Sequence, residues 1–201
     1  AEPLGVLLGF MLGADDWDRR FAEGLAEVLA TYTVPLIGGD TTGKSGEWSA
    51  RAFGMTALGR ATHRPVPARS GAQEGDWLYV TGTIGDAAAG FDLCREGVDG
   101  HAHLRRAFNR PVPQLEAGKL LAPEVHAMMD VSDGLLLDAQ RMAKASRLRV
   151  EIDLSTLPIS HDYQVLRGNN LESRLAAASW GDDYQLLFAT PTRDIPVDAT
   201  L

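Results

Sequence analysis

An α/β or α+β fold is predicted for this 201-residue sequence by three features. Short apolar runs alternate with stretches of helical period, glycine- and acid-rich turns join them, and no internal repeat or low-complexity tract interrupts the pattern. Val6 to Leu12 reads as a buried strand. Asp15-Asp16 then opens a helix in which Trp17, Phe21, Leu25, Val28 and Leu29 recur at helical spacing, with acids in the first turn favouring the helix dipole. Thr33 to Ile37 is expected as a second short buried strand, and 48–58 as a third. In that third stretch Arg51, Phe53, Met55 and Ala57 fall on one face and Ala50, Ala52, Thr56 and Leu58 on the other, the two-residue period of a strand.

The turn-rich passage from Arg64 to Asp76 suits a domain boundary, placed near residue 70, so 1–70 and 71–201 are expected as two α/β domains. In the second, Trp77 to Thr81 is a strand candidate, and Gly82-Thr83-Ile84-Gly85 turns the chain into a helix from Asp86 to about Arg95. The spacing predicts a helix over Pro113 to Leu121, a strand over Val125 to Asp130, a helix over Gly134 to Ser146 and a strand over Arg149 to Leu154. Short helices within loops are expected over 160–178, and Tyr184 to Ala189 as a last strand.

Composition narrows the function. With 19 basic and 27 acidic residues the net charge is −8, which offers no electrostatic footprint for nucleic acid or an anionic membrane. An acidic protein that handles phosphates needs metal ions to do so. Cys94 is the single cysteine, so no intrachain disulfide forms and a reducing compartment is the simpler inference, with the thiol as a small buried hydrophobe. The longest apolar run, Gly5 to Ala14, is about half of the roughly 20 residues that span a bilayer. A soluble, cytoplasmic protein is expected. The sequence opens at Ala1 without methionine and closes on Pro196 to Leu201 without an obvious finish, so it is read as a piece of a longer chain.

Residues 38 to 45, Gly38-Gly39-Asp40-Thr41-Thr42-Gly43-Lys44-Ser45, fit the phosphate-binding pattern G-x-x-x-x-G-K-[ST] at every position. That loop needs a helix after it, because backbone N–H groups at the helix N-terminus hold the phosphates. The sequence after Ser45 makes a poor helix: Gly46 and Gly54 would each cost about 1 kcal/mol in a helix interior, and the apolar period is that of a strand. A P-loop is therefore not expected.

Three acidic clusters sit where the chain turns beside apolar runs: Gly38 to Thr42, Asp130-Val131-Ser132-Asp133-Gly134, and Gly181-Asp182-Asp183-Tyr184. Carboxylates with nearby hydroxyls are the hard oxygen donors that Mg²⁺ uses while holding substrate phosphates. Asp130 and Asp133 are the sharpest pair, and two readings stand for them, a metal site or a cap on the helix that begins beside Asp133. Asp182-Asp183 taken alone reads as a solvated turn in preference to a site.

In this order and spacing, the clusters resemble the thiamine-monophosphate kinases of the aminoimidazole-ribonucleotide synthetase-like superfamily. The stretches that carry the resemblance are Leu36 to Thr42, Ala68-Arg69-Ser70-Gly71-Ala72 with Gly75 to Thr83, Gly85 to Gly90, Asp130 to Leu135 and Gly181 to Leu186, which together span most of the chain. The resemblance implies a two-domain architecture with a shortened N-terminal domain that carries the nucleotide and metal site and dimerises. It also implies transfer of the γ-phosphoryl of ATP to thiamine monophosphate with Mg²⁺ as cofactor, and a homodimer. By motif matching it implies that Asp40 binds Mg²⁺ and, with Gly39, contacts ATP. Asp130 and Asp133 would bind Mg²⁺, Ser132 and Arg69 would reach the nucleotide, and Asp182 would contact the thiamine substrate.

The chain departs from the pattern at Gly43-Lys44-Ser45, where Arg-Gly-Pro is usual, and at Trp180, Asp182 and Gln185, where glycine, glutamate and glutamate are usual. Further Mg²⁺-binding aspartates, a substrate-contacting histidine and a C-terminal aromatic expected from the resemblance would fall outside the sequence. Other ATP-using members of the superfamily, of selenophosphate or aminoimidazole-ribonucleotide synthetase type, and a nucleotide-binding piece without catalysis, are the competing readings.

Overall fold

The computed structural model describes residues 1–13, 15–43 and 51–200, the Asp15 side chain excepted. Two compact units divide between Thr62 and His63.

The first unit is a three-stranded sheet with one helix. Strand β1 (Glu2–Leu12) lies between β2 (Leu36–Gly43), parallel to it, and β3 (Phe53–Arg60), antiparallel. Helix α1 (Asp15–Thr31) connects β1 to β2, the crossover that a parallel pair requires. Phe10 and Phe53 stand opposite one another in the β1–β3 ladder and so share a face. On that face Phe21 of α1 stacks on Phe10 at 4.7 Å and meets Phe53 at 5.1 Å between ring centroids, which fixes where the helix docks.

Three expectations change here. β1 is only half buried: Leu7, on the face opposite Phe10, is exposed because α1 covers one face, and Leu12 is exposed at the end of the strand. Val28, although in helical register with Trp17 and Phe21, is 52% exposed, since the aromatic end of the stripe makes the contact with the sheet. The strand expected at Thr33 to Ile37 begins instead at Leu36 and runs through Gly43, drawn on by its parallel ladder to β1. The first part of the strand expected over 48–58 lies outside the described residues, and the remainder is β3.

The second unit is a four-stranded antiparallel sheet with helices. Strands β4 (Trp77–Thr81), β5 (Ala127–Asp130), β6 (Leu186–Thr190) and β7 (Ala199–Thr200) are ordered β5-β6-β4-β7. Helices α2 (Asp86–Glu96), α3 (Ala102–Asn109), α4 (Leu115–Leu121), α5 (Leu135–Ser146), α6 (His161–Arg167) and α7 (Leu171–Ser179) complete the unit. The strand period divides the core: Val80 and Leu187 pack with Leu93 of α2, Met142 of α5 and Ala177 of α7, while Tyr79 and Phe188 pack with Leu121. Each large apolar side chain buried in this way is worth about 1.5–3 kcal/mol relative to exposure.

Arg149 to Leu154 is not a strand, and only a 3₁₀ turn, Leu154–Thr156, forms nearby. The alternating Ile152 and Leu154 that predicted a strand pack against the helical core instead, and β7 takes the ladder positions beside Val80 and Thr81. Helix α3 was not anticipated; fully buried Leu104 anchors it against α2 and α6. Cys94 is half-buried and its Sγ accepts a hydrogen bond from Asn109 Nδ2 at 3.3 Å.

Candidate active-site loops

In the first unit Gly39 and Asp40 lie within β2, paired with Leu8 and Gly9. A Cβ at Gly39 would stand 1.9 Å from the Leu8 carbonyl oxygen, so only glycine lets the two strands approach there. Thr41 pairs with Phe10 on the face that α1 covers, which puts Asp40 and Thr42 on the opposite face. The glycines of the phosphate-loop pattern are thus ladder residues whose backbone groups serve β1, and 38–43 forms no phosphate-cradling loop. Lys44 and Ser45 lie outside the described residues.

In the second unit two chain segments are fastened together. Asp130 ends β5 opposite Leu186, and beyond the ladder Val131 N–H donates to the Gln185 carbonyl at 2.8 Å. Tyr184 N–H donates to the Val131 carbonyl at 2.8 Å and Asp182 N–H to the Ser132 carbonyl at 3.0 Å. Gly181 makes this approach possible, because a Cβ there would fall 2.1 Å from the Ser132 oxygen. The Asp130 to Asp133 loop and the Asp182 to Tyr184 segment therefore form one backbone-linked surface, with Asp130 and Asp133 both exposed on it. The Tyr184 hydroxyl donates to Asp182 Oδ1 at 3.1 Å. Desolvation first, then that hydrogen bond and the negative charges of Asp182, Asp130 and Asp133, push the Tyr184 pKa up.

The acid that organises the loop is Asp138, which sequence reasoning missed. It is 0% exposed, its Oδ2 accepts the backbone N–H groups of Ser132 and Asp133, each at 3.0 Å, and its Oδ1 accepts from Arg141 Nη1 at 2.9 Å. Arg141 also donates to Asp133 Oδ2. Both hydrogen bonds, that to Asp133 first, push the guanidinium pKa up. Neither Asp130 nor Asp133 caps α5: Gly134 holds the cap position without a side-chain bond, and the loop amides go to Asp138. A helical acid five residues beyond Asp133 was the only signal in the sequence.

Asp183 is structural in the same way. Its Oδ2 accepts Gly85 N–H at 2.9 Å and its Oδ1 accepts Ala87 N–H at 3.3 Å, capping α2 across 98 residues of sequence. Burial outweighs these two donors and pushes its pKa up to about 7, with the charges of Asp86 and Asp182 adding to the rise. Asp86 accepts from Thr83 Oγ1 and Ser160 Oγ, each at 2.6 Å, and lies 3.0 Å from His103 Nε2.

Arg69 is not brought to this surface by the second unit. Its carbonyl oxygen accepts from Ser146 Oγ at the C-terminal end of α5, and a helix of 12 residues separates its ends by ~18 Å. Among the described residues no group of three or more His, Cys, Asp or Glu side chains is close enough to hold a metal ion. Two exposed carboxylates on one loop do fit Mg²⁺ of the kind that takes one or two protein oxygens and fills its octahedron with phosphate oxygens and water.

Comparison with known proteins decides the family. Residues 73–189 match the AIR synthase related protein, C-terminal domain, and residues 1–61 the N-terminal domain. The chain belongs to the AIR synthase related proteins. Its relatives in this family include the thiamine-monophosphate kinase of Caulobacter vibrioides, 39% identical over 197 residues, which are 94% of this chain and 55% of that protein. The Escherichia coli K12 thiamine-monophosphate kinase is 36% identical over 200 residues, 95% of this chain and 59% of that protein. The chain thus spans between 55% and 59% of the length of these relatives.

Among solved structures, the thiamine-monophosphate kinase of Stenotrophomonas maltophilia superposes with TM-score 0.85 at 33% identity, covering 94% of this chain and 62% of that one. AaThiL complexed with AMPPCP and TMP superposes with TM-score 0.82 at 28% identity, covering 98% of this chain and 65% of that one. The α/β reading and the two-domain AIR synthase related architecture expected from the sequence are what these matches show.

Proposed function

We propose that the chain carries part of the active site of an ATP- and Mg²⁺-dependent kinase that phosphorylates thiamine monophosphate to thiamine diphosphate. The observation that carries this reading is the backbone link between the two loops, Asp182 N–H to the Ser132 carbonyl at 3.0 Å and Tyr184 N–H to the Val131 carbonyl at 2.8 Å. It joins the segment read as substrate-binding, through Asp182, to the segment read as holding metal and nucleotide, through Asp130, Ser132 and Asp133. The thiamine-monophosphate kinase relatives and the AaThiL complex support the choice of substrates.

In the reaction the bond from the γ-phosphorus of ATP to its bridging oxygen breaks, a phosphate oxygen of thiamine monophosphate bonds to that phosphorus, and ADP leaves. Mg²⁺ would supply charge neutralisation between the two polyanions. Asp130 and Asp133 would hold Mg²⁺ in the second unit, and Asp40 would bind Mg²⁺ in the first. Ser132, Gly39 and Arg69 would contact the nucleotide, Arg69 through its always-charged donor fork. Asp182 would attract the cationic thiazolium, its carboxylate oriented by the Tyr184 hydroxyl. Catalysis in this reading is positioning and electrostatic, without a covalent enzyme intermediate. A cytoplasmic homodimer is the corresponding cellular form; among the described residues no helix is long and apolar enough to cross a membrane.

The test is incubation of the chain with ATP, Mg²⁺ and thiamine monophosphate, with thiamine diphosphate measured by thiochrome fluorescence after chromatography. Product is expected, with Asp133→Asn reducing it at least tenfold and Lys44→Ala leaving nucleotide binding intact. Turnover of selenide or formylglycinamidine ribonucleotide instead would assign the chain to another branch of the superfamily. ATP binding without turnover, in an assay positive for an N-terminally longer relative, would make it a catalytically incomplete piece.

A further inference from the structure

The loop that presents Asp130 and Asp133 carries its own counter-ion. Arg141 stands about two turns into α5, and its Nη1 donates both to Asp138, at 2.9 Å, and to Asp133. The two acceptors differ in what holds them. Asp138 is 0% exposed and already spends its other oxygen on two backbone amides, so stripping it of Arg141 would leave a desolvated charge without a cation. The Asp133 side chain is 53% exposed, and water replaces the guanidinium there at little cost. Of the two bonds, the one to Asp133 is the one that yields.

We propose that Arg141 is a positioning residue that bonds the Asp133 carboxylate, and that a divalent cation displaces it from Asp133 while it remains on Asp138. This rests on the reading of Asp133 as a cation ligand. A guanidinium and a divalent cation repel one another across a single carboxylate, and the exposed bond from Arg141 to Asp133 is the one this repulsion opens. Arg141 is tethered by Asp138 and stays near the loop, where the charge of an accompanying polyanion offsets the repulsion. Cation binding alone is thereby weakened relative to binding of a cation that arrives with a phosphate ester. The Asp138 bonds to Ser132 and Asp133 N–H keep the loop in shape throughout the exchange.

The experiment titrates the whole chain with Mn²⁺ alone, following free Mn²⁺ by electron paramagnetic resonance, for the unaltered chain, Arg141→Gln, Arg141→Lys, Asp133→Asn and the Arg141→Gln/Asp133→Asn double variant. Loss of a competing ion pair of surface strength tightens binding by about two- to fivefold, and this is expected for Arg141→Gln. Arg141→Lys keeps a cation for Asp138 on a side chain one bond shorter, which draws the charge back from Asp133, and tightening is expected there too, so the inference stays testable if the glutamine variant does not fold. In the double variant the gain should vanish. Unchanged or weaker Mn²⁺ binding in a folded Arg141 variant overturns the counter-ion role while leaving the cation reading intact. If Asp133→Asn leaves Mn²⁺ binding of the unaltered chain unchanged, the cation reading itself fails, and the counter-ion role with it.

Discussion

The carboxylate of Asp138 accepts the backbone N–H of Ser132 at 3.0 Å, and that bond, with the one from Asp133 N–H, fixes the loop that presents the exposed acids Asp130 and Asp133. Asp138→Ala is expected to leave two loop amides without their acceptor and Arg141 with Asp133 alone, at a cost of about 2–4 kcal/mol. Asp138→Asn keeps an acceptor oxygen and should lose less. Urea unfolding gives the size of the loss. Hydrogen exchange should report faster exchange at Ser132 and Asp133 in both variants, and unchanged protection at these amides would show that the loop is held by other contacts.

Asp183 makes stability depend on pH. Its pKa is pushed up to about 7 in the fold, against about 3.9 in an unfolded chain. Between these values the folded state keeps a proton that the unfolded state has lost, so the contribution present below about pH 4 is lost as the pH rises to about 7 and is level above it. Melting temperatures across pH 4.5 to 7.5 should fall more steeply for the unaltered chain than for Asp183→Asn, whose amide does not titrate. Parallel profiles would show that Asp183 is ionised throughout.

Gly181→Ala is expected to separate the two loops. The added Cβ would meet the Ser132 carbonyl oxygen at 2.1 Å, and backbone on both sides has no easy retreat. A loss of about 1–3 kcal/mol is expected, and because the Asp182 to Ser132 bond breaks with it, thiamine monophosphate binding measured by calorimetry should weaken more than ATP binding. Equal weakening of both would count against the division of roles between the loops.

Thr81→Val tests the polar seam beneath the same surface. Thr81 is buried; its Oγ1 donates to Gln185 Oε1 at 2.9 Å and accepts Leu186 N–H at 2.9 Å. Valine fills the space but leaves that buried amide without an acceptor, at about 1–3 kcal/mol in chemical denaturation. Thr81→Ser should retain most of the stability, and a serine variant as unstable as the valine one would assign the effect to packing.

The sequence by itself determined the strands at Trp77 to Thr81 and near Leu186, the helices at Asp86 and Leu135, and the acid-bearing turns between them, because these follow from local period and turn chemistry. It also carried the resemblance that singled out Asp40, Asp130, Asp133 and Asp182. Tertiary structure decided the rest. Gly38 to Thr42 reads as an acid-bearing turn and becomes strand because β1 offers a parallel ladder. Arg149 to Leu154 reads as a strand from its alternation and remains unpaired because those side chains serve the helical core. Asp138 and Asp183 are unremarkable acids in sequence; their roles depend on amides that they meet only when the chain folds, five and six residues back for Asp138 and 98 and 96 residues back for Asp183. Local period is written in neighbouring residues, whereas a buried carboxylate is defined by the donors that the whole fold brings to it.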